Sequence, residues 1–370
     1  MSGANLRASY RHTGTSTSWV LRYSRRAMGC QFEILLPAGF YPQALEVVFQ
    51  ALDLAEELER KLSIFLPESE ISHINQRGHG QWVPISDSVF SLLQECIRIS
   101  EVTEGAFDIS AGPLWRLWGF ARKERTLPTQ EQIDSVLGCV GYQKVLLDPE
   151  TRSVRLAASG MELNLGAIGK GYALDQMGKL LREKGIDVFL LSAGYSSVLA
   201  SAGGFSGKVS TDQFPPPGEQ PTRDAVGETD ELQGKNPSWT WEVGIRDPLR
   251  PDRRVAVIKI GEGALGTSGS AHQFFRHEGR RLSHIIDPRT GYPVEKILSV
   301  TVRTRTACLA DALSTAFYIL GPEWAEDFCR KNPDIGALFF LATSKPPGYQ
   351  WRAVGTWPED ASPCFPRSAE

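Results

Sequence analysis

Residues 162–172 read Glu-Leu-Asn-Leu-Gly-Ala-Ile-Gly-Lys-Gly-Tyr, and what surrounds them decides the fold class. Glu162 to Leu165 has a strand pattern, the glycines at 166, 169 and 171 make a turn, and Gly169 to Lys184 has helical patterning that stops at Gly185. Two β patterns follow in succession, Val188-Phe-Leu-Leu191 and Ser197-Val-Leu-Ala-Ser201. A strict βαβ repeat would put a helix between successive strands. Here strands come in runs with helices grouped between them, which predicts an α+β fold with a mainly antiparallel sheet.

The same pattern extends outward. Toward the N-terminus, Phe32-Glu-Ile-Leu-Leu-Pro37 reads as a strand, and Leu45, Val48, Phe49, Leu52, Leu54 and Ala55 recur at helical spacing between about 42 and 62. Ser86 opens a helix running through Val102, and Thr129 one ending near Gly138. Lys144 to Asp148 and Ser153 to Ala157 are short β patterns. Toward the C-terminus, strands are expected at Trp239 to Ile245, Val255 to Ile260, Leu282 to Ile286, Ser299 to Arg303 and Ala337 to Ala342. Helices are expected from Cys308 to Leu320 and from Glu323 to Lys331. Residues 1–26 are polar and arginine-rich and read as a flexible segment, 27–343 as one domain, and 344–370 as a tail. Within the domain, 203–238 carries Pro215-Pro-Pro217 and few large apolar residues, the composition of a disordered insertion.

Composition narrows the function classes. With 370 residues, 41% hydrophobic and 22% charged, the chain can bury a full-sized core. A net charge of −3 gives no bulk attraction to nucleic acid or anionic lipid, so an anionic ligand needs a local site. No stretch approaches the roughly 20 apolar residues of a membrane span, and Trp19-Val-Leu21 is too short for a signal peptide, so a cytoplasmic protein is expected. The six cysteines form no C-x-x-C pair and have no histidine at zinc-ligand spacing, the pattern of reduced thiols.

Four segments carry candidate chemistry. The turn at 164–171 lets backbone groups approach a phosphate, aided by a helix N-terminus and by Lys170, although it is neither a Walker A loop nor G-x-G-x-x-G. Gly266-Thr-Ser-Gly-Ser270 offers the hydroxyls of Thr267 and Ser268 to phosphate or ribose oxygens. Downstream, His284 precedes the turn Asp287-Pro-Arg-Thr-Gly291. In Ala310-Asp-Ala-Leu-Ser-Thr-Ala316, Asp311 and Thr315 stand four apart on one helix face, a carboxylate and a hydroxyl suited to Mg²⁺. Finally, Glu104 to Trp115 and Leu117 to Phe120 hold aromatics that could stack on a planar ring. Each has a structural explanation too: a surface lysine on a glycine turn, a hydrogen-bonded sheet histidine, a helix N-terminal aspartate, aromatics in the core.

Taken in order, these segments resemble the ApbE family of FAD:protein FMN transferases. The blocks are Met28-Gly-Cys30, Leu62-Ser63, Ser69-Glu-Ile-Ser72 with Asn75, Gly105-Ala-Phe-Asp108, Gly112-Pro-Leu114, Trp118-Gly-Phe120, Asn164 to Gly171, Thr267-Ser-Gly269, Ser283 to Gly291 and Ala310 to Thr315. The resemblance implies a two-layer, T-fold-like architecture with an internal duplication. It implies Mg²⁺ held by Asp311 and Thr315 with the backbone carbonyl of Ala167. FAD contacts would fall on Met28, Phe65, Gly105, Ala106, Phe107, Asn164, Lys170 and Leu282. The implied reaction cleaves FAD, joins FMN to a threonine or serine hydroxyl of a partner protein, and releases AMP. This chain departs from the family pattern at Cys30, Phe65, Asn164, Gly194-Tyr-Ser196 and Ser270, several of them positions where a carboxylate is usual. Phosphoryl transfer needs alignment and charge neutralisation more than covalent chemistry, and a base must take the acceptor proton. His284 is the candidate base and Asp311 its rival. Two other readings use the same residues: a Mg²⁺-dependent FAD pyrophosphatase, and a non-catalytic FAD-binding protein.

Overall fold

The computed structural model describes residues 7–13, 16–120, 127–203, 239–270, 274–277, 280–357 and 363–364. Its centre follows from side-chain alternation. In the strand Val188–Ala193, Val188 and Leu190 point into one core while Phe189 and Leu191 point into another. Gly336–Ala342 does the same with Leu338 and Phe340 against Ala337 and Phe339. Strands buried on both faces must be apolar at successive positions, hence the unbroken apolar runs in the sequence.

Nine strands lie in the order Arg7–Thr13, Ser16–Ala27, Cys30–Pro37, Val188–Ala193, Ser197–Ala202, Gly263–Gly269, Ile297–Thr304, Gly336–Ala342 and Tyr349–Gly355. Every neighbouring pair is antiparallel. The order contains a duplication. A strand pair at 16–37, helices Ala44–Leu62 and Gly169–Glu183, and a pair at 188–202 are matched by a pair at 263–304, helices Ala307–Leu320 and Pro322–Lys331, and a pair at 336–355. The helices cover one face through Leu52, Leu174, Leu313 and Phe317. On the opposite face sits a small sheet of Trp241–Arg246, Arg254–Ile260 and Pro363–Cys364, sealed by Trp241, Ile258 and Ile260. The α+β class and antiparallel sheet are as expected; the small sheet is a layer that the sequence did not announce.

Two glycines set how closely the second duplicate's helix is held. A Cβ at Gly171 would lie 2.1 Å from the Ala307 carbonyl oxygen, and one at Gly266 2.3 Å from the Ala310 carbonyl carbon. Backbone meets backbone at both places, so no side chain fits.

The structure corrects four expectations. Ser16–Ala27, all but its last residue inside the segment expected to be flexible, forms a sheet strand: Tyr23 and Ala27 enter the core, and two of its arginines make ion pairs, Arg22 with Glu33 and Arg25 with Asp53. Tyr349–Gly355, inside the expected tail, is an edge strand, and such strands look polar because only part of their surface is buried. Glu162–Leu165 is not a ladder strand, because the Asn75 side-chain amide pairs with both backbone groups of Leu163 (2.7 and 2.9 Å). The strand expected at 282–286 is Arg280–Ser283, since the Ser283 hydroxyl accepts from the Ile285 N–H at 3.1 Å and bends the chain. His284 therefore lies just past a strand rather than in one. The insertion expected at 203–238 lies, apart from Gly203, outside the described residues.

Candidate active site

The site is built around Asp311. Helix Ala307–Leu320 starts at Thr306, whose hydroxyl accepts from the Leu309 N–H, and Asp175 on the neighbouring helix accepts from the Ala307 and Cys308 N–H groups at 2.8 Å each. One turn in, Asp311 is buried, and its carboxylate accepts from the Ser197 hydroxyl (2.7 and 2.8 Å) and the Gly171 N–H (2.8 Å). Burial raises the Asp311 pKa to about 6, opposed by the positive charge of Lys170 and by the two donors. The glycine turn, the Ser197 strand and the helix thus meet on one carboxylate.

Hydroxyls surround it. The Ser268 hydroxyl pairs with Thr315 (3.1 Å) and Ser314 (2.7 Å), and Thr267 with Thr301 (2.9 Å). Lys170 donates to the Ser196 hydroxyl, which lies 3.3 Å from that of Ser197. Among the described residues no group of three or more His, Cys, Asp or Glu could hold a metal. The donor set is one carboxylate with hydroxyl and carbonyl oxygens, hard ligands that fit Mg²⁺, an ion that shares its shell with water and substrate phosphates. Asp311 and Thr315 fall in this cluster; Ala167, half-buried, sits in the turn two residues before helix Gly169–Glu183.

The residues expected to contact FAD divide into groups. Phe65, 73% exposed, and Asn164 line one cavity of about 400 Å³ with Asn75, Trp115, Arg116 and Glu162. The Asn164 side chain accepts from the Gly166 N–H at 2.9 Å and so shapes the turn. Ala106 and Phe107 are buried, which leaves only backbone at that turn for a ligand. Leu282 is also buried, packed with Leu114 and Trp118. Gly105 has a positive φ and faces Tyr142 and Arg289, and Met28 also holds a positive φ at a strand turn. His284 is half-buried with its ring edge-on to Phe120 at 6.4 Å. Sequence reasoning missed Ser197, Ser196 and Ser314 as members of the cluster. Only their nearness to the glycine turn and the Asp311 motif could have flagged the hydroxyls, because strand pairing is what brings Ser197 to Asp311.

Among the described residues no helix is long and apolar enough to cross a membrane. The profile described as the ApbE family matches residues 28–206 and 224–339. A protein of Escherichia coli strain K12 named FAD:protein FMN transferase is 31% identical over 306 residues, covering 81% of this chain and 76% of that protein. One of the same name from Klebsiella pneumoniae is 31% identical over 327 residues, covering 88% and 90%. The crystal structure of an ApbE protein from Thermotoga maritima superposes with a TM-score of 0.73 at 26% identity, covering 90% of this chain and 97% of that one.

Proposed function

The chain belongs to the ApbE family, and on that premise we propose that it is a Mg²⁺-dependent FAD:protein FMN transferase. FAD is its substrate, and its second substrate is a protein carrying a threonine or serine hydroxyl. The observation that carries this reading is the buried Asp311 carboxylate on one helix face with Thr315, beside the Lys170 ammonium and a ring of hydroxyls.

Asp311 and Thr315 hold the metal, with the Ala167 carbonyl as a further ligand. Bound Mg²⁺ supplies neutralisation of the pyrophosphate charge. Lys170 adds a point charge to the same oxygens, and Ser197 and the Gly171 N–H keep the Asp311 carboxylate aimed. Phe65 and Asn164 take part of the dinucleotide in their shared cavity. The acceptor oxygen forms a bond to the FMN phosphorus, the bond from that phosphorus to the bridging oxygen breaks, and AMP leaves with the bridging oxygen. His284 takes the proton of the acceptor hydroxyl.

The test incubates the protein with FAD and Mg²⁺, with and without EDTA, and follows AMP release and the mass of a threonine-bearing peptide. EDTA-sensitive AMP with a peptide gaining the FMN mass is expected. AMP with free FMN and no adduct would support the pyrophosphatase instead, and FAD retained without AMP the non-catalytic protein. In the same assay His284→Ala loses at least about a hundredfold in peptide labelling while still binding FAD. Undiminished labelling with saturating Mg²⁺ would remove His284 from the mechanism.

A further inference from the structure

Outside the Asp311 cluster, two arginines face each other on the small sheet. The turn between strands Val188–Ala193 and Ser197–Ala202 carries Tyr195, 76% exposed, directly before the Ser196 that receives Lys170. The Arg246 guanidinium carbon lies 3.5 Å from the Tyr195 ring centroid. Arg246 ends strand Trp241–Arg246, whose inward residues Trp241 and Ile245 are buried, so Arg246 and Gly244 share the outward side. Directly across the ladder from Arg246 stands Arg254, whose side chain runs over Gly244: its Cδ and Nε lie 2.7 and 2.8 Å from where a Cβ there would be.

Like charges directly opposite in a ladder destabilise it. Among the described residues neither guanidinium has a carboxylate within ion-pair distance. The adjacent Asp247 is buried and accepts from the Leu249 and Arg250 N–H groups and the Tyr349 hydroxyl, and Glu242, farther along the same strand, pairs with Lys259. A single pyrophosphate accounts for Lys170 and a metal ion, not for two more arginines farther out. Tyrosine and arginine are also among the side chains enriched at the energetic centres of protein interfaces.

We propose that Tyr195, Arg246 and Arg254 form the docking surface for the acceptor protein, taking carboxylates of an acidic segment and leading its hydroxyl to the centre at Lys170 and Asp311. The proposal rests on the transferase reading, which supplies a protein as second substrate.

The probes are a short fluorescein-labelled peptide with one threonine among aspartates and glutamates, and a matched peptide with asparagine and glutamine in their place. Binding to the full chain is read by anisotropy, and FAD turnover by AMP release. The acidic peptide binds and the neutral one does not. Arg246→Gln with Arg254→Gln weakens acidic-peptide binding roughly tenfold, as high salt does in the parent protein, with the KM for FAD unmoved. Because the variant removes a like-charge pair, its urea midpoint stays level or rises, which separates lost docking from lost folding. Tyr195→Leu weakens the same peptide without altering the salt dependence. Equal binding of the two peptides, unchanged binding by the double variant, or a raised KM for FAD in it overturns the proposal, the last by giving the arginines to the dinucleotide. Absence of AMP from the parent protein sinks the transferase reading instead, while the anisotropy still reports on the arginines.

Discussion

At the scale of single residues, the site depends on how one buried carboxylate is satisfied. Asp311 would cost several kcal/mol as an isolated buried ion, and Ser197, the Gly171 N–H and Lys170 offset that cost. Ser197 is the adjustable member, since its hydroxyl reaches both carboxylate oxygens. Ser197→Ala leaves the ligand in place but lets it turn. The Mg²⁺ concentration giving half-maximal AMP release should rise about tenfold, with Ser197→Thr recovering most of the loss. A metal titration of the three proteins reads this directly. Lys170 donates to Ser196, a neutral hydroxyl. A hydroxyl at that place adds no further negative charge beside Lys170, whose only charged partner in this cluster, among the described residues, is Asp311.

At the scale of elements, the helix carrying Asp311 and Thr315 is clamped rather than merely packed. Gly266 lets the neighbouring strand touch the helix backbone at Ala310, and Gly266→Ala should cost at least about 2 kcal/mol, read as a lowered urea midpoint. At the helix start, Asp175 accepts from two first-turn N–H groups, yet burial raises its pKa from 3.8 to about 6. A carboxyl whose pKa is higher in the fold than in the open chain stabilises at acid pH, and that contribution is lost as pH rises through about 6. Between pH 5 and pH 7 the parent protein should therefore lose about 1 kcal/mol from this group, and Asp175→Asn should not. Urea unfolding of both proteins at the two pH values gives the difference, which includes the smaller change at Asp311 when the Asp175 charge beside it is removed.

At the scale of the whole molecule, a duplicated antiparallel sheet is covered by helices on one face and by a small sheet on the other. Trp241 anchors the small sheet, packing its ring into the second core and donating to the Ser201 carbonyl at 3.1 Å. Trp241→Ala should cost about 3 kcal/mol and raise hydrophobic-dye binding, both measurable on the purified protein. This covering also explains what could be read in advance. Local pattern determined the long helices, the helix opening at Thr129, the apolar strand runs and the Asp311–Thr315 spacing, because each depends on neighbours within a few residues. The ordered blocks also carried the family. Only the tertiary structure decided that the polar stretch at 16–27 is a strand, that Asn75 replaces a ladder at Leu163, that Ser197 reaches Asp311, and that Arg246 lies on Tyr195. Those contacts join residues between 11 and 114 positions apart, as in Arg22 with Glu33 and Ser197 with Asp311, and no local propensity encodes a partner at that distance.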